Sequence, residues 1–333
     1  MDQPGIQQLF FQHIKNNLPP HLSLVDEIAE LLNISNDSAY RRIRGEKGIS
    51  FDEVRTLCTH FKISLDQYFH IHSESVIFSS QPVNNTTFTF DMYLKSMLTN
   101  LQLWNSFAKK EVVWFNKDIL LFHHFAFQEL AAFKFFFWMR TIIQFPLFGK
   151  KMFAADEYLD ALHVLGKKIY DEYNKLPSQE IWNVENINST LNQIEYYTVT
   201  RVFESQGEID RLFDCLEKQI DHIERQAEAG YKFAPEAKFN NSKAGFKLFI
   251  NEFIIGNNDG VALLDDIKIS YISHSGLSFI MTKDTHFGEH LYQYLQNIIR
   301  KSTLISDVGE KERSRFFNGM RERIHEKRKS VRL

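Results

Sequence analysis

The sequence predicts a mainly α protein in two parts. A compact bundle of about five short helices occupies residues 1–70, and a larger helical region occupies 90–333 with a small β-hairpin or meander insert near 251–282. Three observations carry this. Apolar residues near the start recur at helical spacing between polar cap residues. The same spacing dominates most of the chain after residue 90. Only "NEFIIGNNDGVALLDDIKISYISH" (251–274) changes character, with turn signals between short β-branched runs.

Ile6, Leu9, Phe10 and Ile14 give the opening helix one apolar side. Val25, Ile28, Ala29 and Leu32 then stand at i, i+3, i+4 and i+7. Ser23 and Asp26 have the spacing of a capping box at its start. Asn33 tolerates the left-handed backbone that ends a helix, and Ile34 can plug the turn after it. A second short helix begins near Ser35 or Asn36, both good caps. Val54, Leu57, Cys58 and Phe61 repeat the apolar spacing behind a second box, Ser50 and Glu53. Ser64 and Gln67 offer a third, ahead of Leu65, Tyr68 and Phe69.

Arg41, Arg42 and Arg44 crowd the second short helix. At about 100° per residue, Ala39, Tyr40 and Ile43 share its inner side, while Asp37, Ser38, Arg41 and Arg42 project outward with Arg44 at the edge. Gly45 ends the helix, and Lys47 stands where it would meet a phosphate. Guanidinium groups beside hydroxyl and carboxylate groups are the chemistry of a major-groove reader. Residues 22–69 carry six Lys or Arg against eight Asp or Glu, yet the positive charge gathers at 41–47.

"LSLVDEIAELLNISNDSAYRRIRGEKGISFDEVRTLCTHFKISLDQYF" (22–69) resembles the lambda-repressor-like, Cro/C1-type helix-turn-helix of XRE-like transcriptional regulators. The matching residues are Ala29 in the first motif helix, Ile34 after the turn, Ser35 opening the recognition helix, Gly45 closing it, and the ending "ISLDQYF". It departs from the pattern in three places. Asn33 replaces the turn glycine, the inward pair Tyr40 and Ile43 falls one position late, and Arg44 precedes Gly45 in place of Glu. The resemblance implies a DNA-binding regulator with its recognition helix at about 36–44. Arg41 and Arg42 would read base edges, Asn36, Asp37 and Ser38 would assist, and Arg44 and Lys47 would hold phosphates. Double-stranded DNA is then the partner, and a homodimer reading two half-sites is expected because one module offers few phosphate contacts.

Residues 71–89 read as a linker rich in Ser, Asn and Thr. Beyond it, helices are expected near 91–109, 110–121, 127–145, 154–175, 186–205, 208–229, 284–302 and 309–328. "FHHFAFQELAAFKFFFWMR" (122–140) holds the densest group of the chain's 31 Phe, placed all round a helix. That pattern fits a buried core helix, with a dimer seam or the wall of a small-molecule or peptide effector pocket left open. "DILLFHHF…FKFFFW" and "STLIS…EKER…FF" also resemble segments of bacterial regulators with an uncharacterised helical carboxyl domain.

His286, Glu289 and His290 share one helix face, but no third metal ligand accompanies the two histidines. His123 and His124 are adjacent and read as ordinary core residues. Phosphate loops, nucleophile elbows and paired catalytic carboxylates do not emerge, so the expectation is no enzyme, no metal and no cofactor. The end of the chain, from Lys311, carries nine Lys or Arg against three Asp or Glu. It reads as a solvated last helix, with phosphate contact the alternative. Two distant cysteines, no secretory pattern and no apolar run of about 20 residues predict a cytoplasmic protein without a membrane partner.

Overall fold

A computed structural model describes residues 5–18, 22–61, 63, 65, 76–80, 89–235, 244–254, 256–274 and 278–332, without side-chain placement at 16, 17 and 158–163. The chain divides into two units, Met1–Ile77 and Phe78–Leu333.

Four helices form the described part of the first unit: α1 (Ile6–Asn17), α2 (Leu24–Leu32), α3 (Asn36–Ile43) and α4 (Phe51–Phe61). The expected fifth helix, at 64–69, lies outside the described residues except for Leu65. Phe10, Phe11 and Ile14 from α1 meet Ile28 and Ala29 from α2, Ala39 from α3 and Leu57 from α4 in one core. Local chemistry sets the boundaries. Asn33 takes φ 50° after α2, and Ile34 packs against the core. The Ser35 hydroxyl accepts from the Ser38 amide at the start of α3, and Gly45 follows α3 at φ 79°, which glycine adopts without strain. Before α4 the Ser50–Glu53 capping box is complete: the Ser50 amide donates to Glu53 and the Glu53 amide to Ser50. No such box forms at Ser23, because Asp26 instead accepts from the Asn36 amide group.

The second unit corrects the expected fold class. A mainly α region with a small hairpin or meander is overturned by a mixed sheet of eight strands, in the order β1-β7-β6-β5-β2-β3-β4-β8. The strands are β1 (Ser79–Ser80), β2 (Lys110–Phe115), β3 (Ser178–Trp182), β4 (Phe246–Ile250), β5 (Asp259–Leu264), β6 (Ile267–Ser273), β7 (Phe279–Thr282) and β8 (Thr303–Leu304). β2, β3 and β4 run parallel. β5, β6 and β7 form an antiparallel meander that joins them along β2. The first half of the helix expected at 110–121 is thus strand, and helix begins only at Leu121. β1, inside the expected linker, pairs with β7 at the sheet edge.

Helices α5 (Phe90–Asn105), α6 (Leu121–His124), α7 (Gln128–Phe137), α8 (Leu159–Tyr173), α9 (Asn188–Val199), α10 (Gln206–Ala229), α11 (Thr285–Arg300) and α12 (Glu310–Ser330) complete the unit. One sheet face carries two large apolar clusters, with Val112 and Trp114 on one side and Trp182, Phe246 and Leu248 on the other. The opposite face, with Val113, Phe115, Ile181 and Val261, packs on α11. Phe133 and Phe136 on α7 enter one cluster while Phe135 borders the other, so its aromatic residues need no amphipathic stripe. Burying each such ring contributes about 1.5–3 kcal/mol. Gly260 on β5 faces Trp114 on β2, and a Cβ there would stand 2.2 Å from the indole. No described helix is long and apolar enough to cross a membrane.

Candidate nucleic-acid interface

α3 is short and amphipathic, but its faces are not divided as the sequence predicts. Ala39 is fully buried and Ile43 half-buried, as expected of inward residues. Tyr40 is 46% exposed and stands outside. Arg42 is 6% exposed and points inward. This corrects two assignments: Tyr40 does not brace the helix from beneath, and Arg42 is not placed to read base edges. The remaining motif-core residues, Ala29 and Ile34, lie in or against the core.

Arg42 serves the module from inside. Its guanidinium donates to Glu53 at 2.7 Å and to the Ser38 carbonyl at 3.2 Å. Burial alone would raise the Glu53 carboxyl. The hydrogen bonds from Arg42 and Ser50 outweigh it and hold the group below the usual carboxylate value. The pair ties α3 to the first turn of α4. α1 supplies the second support, because the last carbonyls of a helix need partners. Gln7 donates to the carbonyls of Arg42 and Lys47, both at 2.7 Å, and Gln8 donates to that of Arg44 at 2.7 Å. Sequence reasoning missed both glutamines. They act across 35 to 40 positions, and nothing local marks them.

The outer face then holds Asn36, Asp37, Tyr40, Arg41, Arg44 and, past the turn, Lys47, all exposed. Ser38 is half-buried. Arg44 lies 4.4 Å above the Tyr40 ring and donates to its hydroxyl at 3.0 Å. That hydrogen bond, with help from Glu46, raises the Arg44 pKa, so the guanidinium stays charged. Arg41 and Arg44 share one carboxylate, Glu46, at 3.9 and 3.6 Å. Their side chains remain 55% and 58% exposed. An open groove of about 650 Å³ adjoins this face, lined by Leu9, Gln12 and Lys15 of α1, Val25 of α2, and Tyr40 and Arg44 of α3.

The basic carboxyl helix behaves differently. Phe316, Phe317, Met320 and Ile324 of α12 enter the main core. Four of its cations reach carboxylates of the same unit: Arg321 to Asp221 and Glu224, Arg323 to Glu185, Lys327 to Glu195, and Arg328 to Asp214. Arg313 is buried and donates to the Ile305 and Val308 carbonyls.

The paired histidines are also internal. His123 and Glu180 are 2% and 0% exposed and stand 3.1 Å apart. Tyr173, Ser178 and Trp182 also donate to Glu180. Burial would raise the Glu180 carboxyl, but His123, Lys232 and these donors hold it down to about 2. His124 meets Gln219 at 3.0 Å. With every donor directed at one sealed carboxylate, this network joins α6, α8 and β3 rather than offering a reacting surface. His286, Glu289 and His290 are exposed on α11, with Glu289 engaged by Lys268 at 2.9 Å. Among the described residues no three His, Cys, Asp or Glu side chains gather as a metal would require.

No family model matches the chain, and neither a curated protein nor a solved structure matches it.

Proposed function

We propose that the protein is a sequence-specific DNA-binding transcriptional regulator that sets α3 in the major groove. One observation carries this reading: Arg41, Arg44 and Lys47 form an exposed cationic ridge on a helix whose opposite face is locked by Ala39, Ile43 and the Arg42–Glu53 pair. A rigid helix with outward guanidinium groups can pair bidentately with guanine, and an exposed lysine can neutralise a phosphate. Arg41 is the principal base reader in this scheme. Tyr40 holds Arg44 beside it and offers its ring to a thymine methyl, while Asn36 and Asp37 border the contact. The second unit dimerises the protein and receives whatever signal it answers to.

Selection of bound sequences from random duplex DNA by the full-length protein tests the proposal. A two-fold symmetric site with steeply salt-dependent affinity is the expected result. Recovery of no preferred sequence, with binding indifferent to salt, would sink it. A second reading rests on the groove beside α3: a protein segment in place of DNA, seated against Leu9, Val25 and Tyr40. A peptide complex held by apolar contact would keep its affinity as salt rises.

A further inference from the structure

We infer that a second copy of this chain docks on an apolar surface of the second unit formed by Ile142, Leu147, Met152, Tyr196 and Val199, an inference that rests on the reading of the protein as a dimeric regulator. These residues come from three segments that the structure ties together. Thr141, beside Ile142, bonds the hydroxyl of Tyr197, beside Tyr196, at 2.9 Å. Arg140 donates to the carbonyls of Phe148 and Lys151, which fastens the stretch bearing Leu147 and Met152 to the same turn. The Phe153 amide donates to the Val202 carbonyl at 2.7 Å, three residues past Val199. The anchoring side chains Phe136, Phe153, Tyr197 and Phe203 pack inward as one aromatic group. Met152, beside Phe153, and Tyr196, beside Tyr197, are left outside.

The exposure is large for such residues: Leu147 is 73% and Val199 76% accessible, with Tyr196 at 53%. Together the five expose on the order of 500 Å² of apolar surface, and two copies face to face would bury on the order of 1,000 Å² before the rim is counted, which is the scale of a specific interface. Patches of this size on a folded unit mark contact surfaces. The rim carries both signs, with Lys150 and Arg201 among the cations and Glu157 and Glu204 among the acids, all exposed. A self-complementary interface needs both signs on its rim, so that cations of one copy have acids of the other to meet. A partner of uniform charge would instead meet repulsion on one side. The backbone here is also unusual. Trp138–Ile142 is a π-helical turn, and Gln144 and Arg201 hold φ of 54° and 52°. Such departures recur where a surface is shaped for contact.

Sedimentation of the full-length protein tests this. The wild-type chain should be a dimer, and the double variant Leu147→Glu, Val199→Glu should be a monomer with an unchanged circular dichroism spectrum and melting temperature. Met92→Glu, at another exposed apolar position on α5, is the control and should remain dimeric. On a selected full-length operator the double variant should lose about 100-fold in affinity yet keep its affinity for one half-site, as loss of avidity dictates. A monomeric wild-type protein, or a double variant that stays dimeric, overturns the inference. A dimer abolished by the double variant, in a protein that binds no DNA, upholds this surface and removes the regulator reading alone.

Discussion

Two helices of this chain concentrate basic residues, and they use them in opposite ways. On α12 the cations sit across from the acidic side of α10 and from Glu185 and Glu195, so Arg321, Arg323, Lys327 and Arg328 are each matched within the unit. On α3 the exposed Arg41 and Arg44 have one carboxylate between them, Glu46, and Lys47 has no ion pair among the described residues. On α12 the central cations are thus spent within the unit, while Lys311, Arg315 and Lys329 toward its ends are exposed and make no ion pair among the described residues. The difference teaches that a cation is free to meet a phosphate only where the fold leaves it short of acids. A third case lies within α3 itself. Arg42 is one residue from Arg41, yet it is buried on Glu53 and acts as a structural part.

The comparison predicts its largest effect at that buried pair. Glu53→Ala leaves the Arg42 guanidinium inside without its carboxylate and removes the α4 capping box. It should destabilise the first unit by about 2–4 kcal/mol, read as faster hydrogen exchange at the amides of α3 and α4. Arg42→Met, similar in length and apolar, should cost far less and leave base preference unchanged. A relaxed operator preference in Arg42→Met would show that this arginine reads DNA after all. The same pair fixes a pH dependence. Because the folded-state Glu53 pKa lies below its ordinary value of 4.5, the stabilisation is complete above that pH. It is lost as pH falls through the lower, folded-state value. The protection factors of the α3 amides, which refer exchange to the intrinsic rate at each pH, should therefore fall on acidification in the wild type and change less in Arg42→Met.

Next in size are the exposed arginines. Arg41→Ala should cost about 1–3 kcal/mol on the selected operator and relax preference at one base pair. Lys47→Gln should weaken all sequences alike and lower the salt slope by about one. If Arg41→Ala and Arg44→Ala together leave operator affinity intact, the ridge is not the reader. The smallest effect belongs to α12. Arg328→Ala should leave DNA affinity and its salt slope untouched and lower stability by less than about 1 kcal/mol, since the pair with Asp214 is partly solvated. A reduced salt slope in that variant would move α12 into the DNA interface.

Much of the first unit was legible because its determinants are local. Ser35, Asn33, Gly45 and the Ser50–Glu53 box act within a few residues of where they stand, and the apolar spacing of Val25 to Leu32 and Val54 to Phe61 repeats inside single helices. Which side of α3 faces inward was not legible. Tyr40 is the larger apolar residue and Arg42 the charged one, so hydrophobicity alone turns the helix the wrong way. Only Glu53, eleven positions on, makes burial of the guanidinium tolerable. The sheet was hidden for a related reason. β2 and β4 are short, largely apolar runs, β3 (SQEIW) is mostly polar, and β2 meets β3 and β5 across roughly 65 to 150 residues of intervening chain. Read locally, "KEVVWF" extends a helical region. Likewise nothing beside His123 announces that Glu180 will receive it.

The sequence by itself determined the described helices of the first unit, the caps at Asn33, Ser35 and Ser50–Glu53, and the gathering of charge at 41–47, because those depend on spacing within a turn or two. Tertiary structure alone decided which arginine is buried, which cations meet acids and how eight short segments become one sheet. Those outcomes depend on partners distant along the chain, and a charge or a strand has no fixed role until its partner arrives.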